Sequence, residues 1–288
     1  MVINLVGKFN ETPSFSFNET HVDGARQIAK ASREAGVNRL VHVSALNASP
    51  QPRGFMIRSG SNFLRSKFYG EQAVREEFPE AIIFRPSAMY GEADSFFNYY
   101  SHFLRYNTNK MYLWNKGFGI FKQPVFVSDV AEGIVNSIYD NEMLAKTIDA
   151  VGCRRYELNE LVRYMMRATG RGEEYEYAIE ELRTAFTFLA RIFWFGKLQK
   201  YPIVSWEKLE LVRREHFCCC FQLIDISRFQ ENHTDQLTDG NPTLQDLGVT
   251  LTPFEENSYY ELKALSRIGY YVDKYGEMPQ PPFPKSVI

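Results

Sequence analysis

The sequence predicts an α/β fold, a doubly wound parallel sheet followed by a smaller, mainly helical domain. Two observations carry this. Through roughly the first half of the chain, short apolar runs alternate with amphipathic stretches at helical spacing, which implies right-handed crossovers between parallel strands. Beyond that the alternation loosens into helical patterns, an aromatic run and the Pro-rich tail "MPQPPFPKSVI". The expected division is therefore 1–150 and 151–288.

The first element is "VINLVG", in which Val2, Ile3, Leu5 and Val6 form an apolar run stopped by Gly7. This is the pattern of a parallel strand covered on both faces, and such a strand does not usually come first. A polar stretch leads to a helix over 22–35, where Val22, Ala25, Ile28 and Ala29 recur at helical spacing and Gly36 supplies the stop. "VNRLVHVSAL" follows as a strand over 37–46, then a loop through Ser61, then a long helix over 62–78. "AIIFRPSAMYG" is the next strand, over 81–91, passing into a loop that begins at Pro86.

"QPVFVSDVAEGIVNSIYD" reads as a short strand that hands over to a helix. Ser128 or Asp129 is the expected N-cap, with Val130, Ile134, Val135 and Ile138 on the apolar face. "RRYELNELVRYMMRATG" gives a helix ending at Gly170, and further helices are expected near 173–183 and 206–217.

Composition narrows the function. With 288 residues and 44% hydrophobic content the chain can bury a sizeable core. A formal charge of -2, from 33 basic and 35 acidic residues, leaves no basic stripe for a phosphate backbone, so nucleic acid is not an expected partner. Cys153 and the run Cys218, Cys219, Cys220 lack any Cys-x-x-Cys spacing. They read as reduced core residues, not metal ligands. The five histidines, His21, His42, His102, His216 and His233, have no ligand spacing and read as packing or surface residues.

The series "VINLVG", "VNRLVHVSALNAS", "SKFYGEQAVRE", "AIIFRPSAMYGEAD" and "KQPVFVSDVAEGIVNSI" resembles the later part of an atypical extended short-chain dehydrogenase/reductase. Within that family it is most similar to the Rossmann-type, NADPH-binding accessory subunits of mitochondrial respiratory complex I. The resemblance is good over 2–151 and weak beyond. It implies a Rossmann-like sheet that is incomplete and starts at its fourth strand.

The resemblance also implies site residues. The strand end Asn4, Leu5, Val6, Gly7 would form a wall beside the dinucleotide, with the glycine allowing close approach. Ser44 and Lys67 stand at the serine and lysine positions of the family's Ser, Tyr, Lys set, and Pro86, Ser87 and Met89 would complete the cofactor contacts. The tyrosine position is Phe63, four residues before Lys67 and on the same helix face. A phenyl ring has no proton to give. Tyr69 is two residues past Lys67, about 200° around the helix, and does not replace it. The implied catalytic set is therefore empty and the cofactor site partial.

The glycine turn that cradles the pyrophosphate in this fold belongs after the first strand, and no Gly-x-x-Gly-x-x-Gly spacing occurs here. The elements that precede the fourth strand in the family would take on the order of 80 residues, at roughly 30 or more per strand-helix-strand unit. Either the record is truncated or the half-domain has been lost, with truncation favoured. A transit peptide would precede those missing strands, so that none is visible here is uninformative. Val2 to Val6 is then expected at a sheet edge, open or covered by something other than preceding strands of this chain, and the chain as written is not expected to be a stable monomer.

The run over 183–206 places Phe186, Leu189 and Phe193 on one helix face and Phe188, Ile192 and Phe195 on another, with Arg191, Lys197 and Lys200 between. It is too short and interrupted to span a bilayer. It reads either as a core helix or as an interfacial segment at lipid headgroups or a membrane subunit, and the resemblance tilts toward the second. The expected function is a non-catalytic subunit of complex I, on the matrix side of the inner membrane, that touches other subunits and holds NADPH as a fixed ligand. The alternative is a soluble NADP-dependent reductase or epimerase with a truncated record.

Overall fold

The computed structural model describes residues 1–12, 14–52, 60–92, 94–101, 106–107, 110–170, 178–181, 235, 237–238, 240–265 and 280–287. Four strands, β1 (Val2–Asn4), β2 (Leu40–Val43), β3 (Ile82–Pro86) and a later strand, Thr147–Ala150, pair side by side. They lie in that order and every pairing is parallel. Between them in the chain come α1 (Gly24–Glu34), entered through a π-helical turn Glu19–Asp23, and α2 (Asn62–Glu77). β4 (Met89–Tyr90), α3 (Ser95–Ser101), β5 (Tyr106–Asn107), β6 (Lys110–Leu113), β7 (Phe121–Lys122), β8 (Val125–Phe126) and α4 (Val127–Tyr139) follow. The later sheet strand is thus β9, after which come β10 (Tyr156–Glu157), α5 (Leu158–Ala168), β11 (Ala178–Glu181) and α6 (Phe254–Ala264).

Alternation along the strands puts helices on both faces. Leu40 meets Ala25 and Ala29 of α1, Val74 of α2 and Phe78 just past the end of α2. Its neighbour Val41 and the pair Ile82 and Phe84 meet Val130 and Ile134 of α4 together with Leu244, Leu247 and Val249. This is the doubly wound arrangement expected from the order of elements. A further aromatic core joins α3, α5 and α6 around Tyr90, Phe97, Tyr156, Tyr164 and Phe254.

Several local expectations need correction. β1 was expected to be covered on both faces, yet Ile3, Leu5 and Val6 are exposed. β1 is an edge strand, as its place in the family fold led one to expect, paired only with β2 among the described residues, and no described residue pairs with its outer side. Helix α4 starts one residue before the expected caps, with Phe126 in extended conformation at the N-cap position. Asp129 instead accepts hydrogen bonds from the Thr252 N–H (2.7 Å) and hydroxyl (2.8 Å), tying the first turn of α4 to the segment before α6. Val135 lies on the outer face of α4 and is 49% exposed, while Gly133 and Ser137 take buried places beside Ile134.

The helix expected near 173–183 is contradicted at Ala178–Glu181, which pairs in parallel with β6. Ile179 packs against the aromatic core there, and that contact overrides the helical preference of the glutamates. The aromatic run over 183–206, the helix expected over 206–217 and Cys218, Cys219 and Cys220 lie outside the described residues.

Two boundaries follow local rules. Ser61, extended, caps α2 by accepting the Leu64 N–H at 3.2 Å. Gly36 ends α1 in the left-handed region at φ 65°.

Candidate functional site

At the C-terminal ends of β1 and β2, the cap at Ser61 sets α2 so that Phe63, Ser66, Lys67, Gly70 and Glu71 face inward. Lys67 is buried, and its ammonium donates to the carbonyl of Val43 at 3.2 Å, the last residue of β2. The same ammonium rests against Gly7, where a Cβ would come within 3.0 Å of it. Ser44 is buried just beyond Val43, and its Oγ has no hydrogen-bond partner among the described residues. Burial lowers the Lys67 pKa to about 8, against the opposing charge of Glu71. Glu71 in turn holds Arg85 of β3 in a bidentate ion pair, with contacts of 2.9 and 2.6 Å.

Two histidines complete this layer. Asn4 accepts the Val6 N–H with Oδ1 (3.0 Å) and donates from Nδ2 to His42 Nδ1 (3.1 Å). His42 therefore carries its proton on Nε2, which is buried with no partner among the described residues. The Lys8 N–H donates to His21 Nε2 (3.1 Å), so His21 Nδ1–H donates to Ser66 Oγ (2.8 Å), whose hydroxyl donates to the Phe63 carbonyl (2.9 Å). Burial first, and then the charge of Lys67, lowers both histidines from 6.5 to about 3.

The sign of the pH dependence follows. Both histidines stay neutral in the folded protein between pH 6.5 and about 3, while the unfolded chain takes up their protons. The contribution of the two histidines to stability is therefore complete above pH 6.5 and falls as the pH drops, by up to about 1.4 kcal/mol per pH unit for each. Urea unfolding at pH 7.5 and pH 5 should show this loss, and His21→Gln with His42→Gln should flatten the slope.

Phe63 is enclosed. Its ring lies 5.2 Å from Phe9 at an interplanar angle of 22°, and meets Phe17 (6.1 Å, 77°) and His21 (5.5 Å, 85°) edge on. Lys67 Nζ is 6.0 Å from its centroid. Tyr69 is 42% exposed and faces away. It lines a surface groove of about 420 Å³ with Val22, Arg26, Gln72 and Glu76.

The structure thus brings Gly7, Ser44 and Lys67 together. Leu5 is 68% exposed. Pro86 is buried and its carbonyl accepts the Leu46 N–H at 3.0 Å. The Ser87 hydroxyl donates to the Gln123 carbonyl at 2.6 Å. Met89 packs against the core on the α4 side of the sheet. Sequence reasoning did not find the roles of His21, His42, Phe9 and Phe17. His42 shares a face with Leu40 by strand alternation, a usable signal, whereas nothing in the sequence couples Phe9 to Phe63.

The profile of the NAD dependent epimerase/dehydratase family matches residues 1–145. The chain belongs to that family. A solved member-like fold, the Bordetella bronchiseptica enzyme WbmG in complex with NAD and UDP, superposes with a TM-score of 0.52 at 12% identity, over 97% of this chain and 76% of that one. At that identity it speaks for the fold alone. Among curated relatives, the mouse protein "NADH dehydrogenase [ubiquinone] 1 alpha subcomplex subunit 9, mitochondrial" is 37% identical over 91% of this chain and 61% of its own length. The Neurospora crassa "NADH-ubiquinone oxidoreductase 40 kDa subunit, mitochondrial" is 26% identical over 94% of this chain and 62% of its own. The chain therefore spans about three fifths of the length of the relatives it matches. Phe63 and Lys67 stand side by side on α2, and the Phe63 ring cannot exchange a proton.

Proposed function

We propose that this chain is a non-catalytic accessory subunit of mitochondrial complex I that holds NADPH as a fixed ligand. The observation that carries the reading is Phe63, enclosed by Phe9, Phe17 and His21 in front of Lys67. The names of the mouse and Neurospora relatives support the assembly. The unpartnered Ser44 Oγ, the His42 Nε2–H and the donors of Lys67 fit the acceptor oxygens of a sugar-bearing cofactor. Leu5, Gly7, Pro86, Ser87 and Met89 are assigned to the same site. A bound dinucleotide would supply hydride, and Phe63, at the position the resemblance gives to the family's tyrosine, has no proton to supply with it.

The reading puts the protein on the matrix side of the inner membrane, against other subunits and at the membrane surface. No described helix is long and apolar enough to cross a membrane. The cofactor part is residues 1–150 and the smaller part, with the aromatic segment and Pro-rich tail, 151–288. Affinity capture of the tagged chain from mitochondria should recover complex I subunits. The recovered complex should release NADPH on denaturation and show no carbonyl-dependent NADPH oxidation assignable to this subunit. Capture of the chain alone, or such turnover abolished by Lys67→Met, would count against the proposal.

A further inference from the structure

Lys67 and Glu71 stand four residues apart on the inward face of α2, the spacing at which a lysine and a glutamate of one helix ordinarily pair. Both are buried, and no ion pair joins them. Each is committed elsewhere. The Lys67 ammonium donates to the Val43 carbonyl at 3.2 Å, its only hydrogen-bond acceptor among the described residues, and rests against Gly7. Glu71 gives both oxygens to the Arg85 guanidinium, Oε1 to Nε–H at 2.9 Å and Oε2 to the Nη2 donor at 2.6 Å. Alternation along β3 turns Arg85 to this face of the sheet while Phe84 packs on the α4 side. Asp149, opposite Arg85 in the register with β9, spends its own oxygens on the Thr238 N–H and Asn241 Nδ2. The fork of Arg85 is therefore left to Glu71.

We propose that Arg85 is a positioning residue for the ligand site: by holding both oxygens of Glu71 it keeps that carboxylate off Lys67, whose ammonium stays at Val43 with its remaining donors open to a ligand. A guanidinium can do this and an ammonium cannot. Its planar fork engages two carboxylate oxygens at once, whereas a lysine is a single point charge and leaves one oxygen free. A freed carboxylate one helical turn away would draw the flexible Lys67 side chain to itself, and an acceptor on a ligand would then have to compete with an anion. The other titratable groups around Lys67 offer no such competition. His21 of the π-helical turn and His42 of β2 are neutral at neutral pH, and the Lys8 ammonium is turned to the Phe15 carbonyl. Glu71 is thus the anion that Arg85 must restrain. That the ligand is a nucleotide rests on the reading above, while the placement of Lys67 does not.

The test is the titration of Lys67 itself, followed by NMR on the full chain carrying isotope-labelled lysine, with the Lys67 signal assigned by its loss in Lys67→Met. It needs neither nucleotide nor complex, so it succeeds or fails independently of the cofactor reading. The unaltered protein should titrate near pH 8. Arg85→Lys should raise that midpoint by about half a pH unit or more, and Arg85→Met by about one unit or more, as the carboxylate turns to Lys67. Glu71→Leu with Arg85→Met should bring the midpoint back below that of Arg85→Met alone, because no carboxylate remains to pair. Arg85→Lys is decisive even where Arg85→Met fails to fold, since it keeps the charge at position 85 and removes only the fork. An unchanged midpoint in Arg85→Lys would show that Arg85 acts on Lys67 through its charge alone, or not at all, and would overturn the proposal. A midpoint in the double variant as high as in Arg85→Met would overturn it equally, since Glu71 would then have no part in the shift.

Discussion

Replacing Glu71 by alanine is expected to destabilise the fold by about 3–5 kcal/mol, because it leaves Arg85 buried without its carboxylate. The Glu71 side chain is 3% exposed and that of Arg85 13%, and the pair joins α2 to the middle of the sheet through two short contacts. Burial opposes the Arg85 charge. The hydrogen bonds and charge of Glu71, with the charge of Asp149 behind them, outweigh it and raise the Arg85 pKa. Removing both charges together, as Glu71→Leu with Arg85→Met, should recover most of the loss. A denaturant series on the two single variants and the double variant measures the coupling directly, and independent, additive losses would show that the pair does not act as described.

Gly70→Ala is expected to cost a comparable amount, about 3 kcal/mol or more. A Cβ at position 70 would lie 2.3 Å from the His21 carbonyl oxygen, and the obstacle is backbone, which cannot swing aside as a flexible side chain can. The substitution must push the π-helical turn away from α2, carrying His21 from Ser66 and loosening the hold on Lys8. Gly24→Ala is the contrast. At Gly24 a Cβ meets only the Glu19 carbonyl oxygen at 3.4 Å, so the gain in helix propensity, about 0.5–1 kcal/mol, should appear as stabilisation. Hydrogen exchange at Lys8 should quicken in the first variant and not in the second.

The parts of this fold that were legible in the sequence are those governed by local rules. The helix read over 62–78 is Asn62–Glu77, because Ser61 caps it and its inward face recurs with helical spacing. Gly36 ends α1 as its freedom at positive φ allows. The spacing of Phe63 and Lys67 likewise survives into three dimensions. What failed depends on distant partners. The apolar run in β1 reads as a buried strand, yet burial needs a neighbour, and Leu5 and Val6 have none on the outer side among the described residues. Ala178–Glu181 reads as helix until Met111 is placed opposite Ile179. Val135 is apolar by type and exposed by position, since Gly133 lets Leu244 and Phe84 close in on the other face of α4.

The same division runs through the site. Gly7, Ser44 and Lys67, which the family resemblance singles out, lie near one another because they stand just past β1, just past β2 and on the inward face of α2. The enclosure of Phe63 was not legible, because Phe9, Phe17 and His21 reach it across more than forty residues of chain.

As proposed above, this member of the epimerase/dehydratase family serves an assembly and not a reaction of its own. Native gel electrophoresis of mitochondria, stained in the gel for NADH dehydrogenase activity and probed for this protein, tests it most directly. The protein should comigrate with the activity band and shift with it when complex I is bound into larger assemblies. A protein found wholly in a free pool, away from that band, would contradict the account.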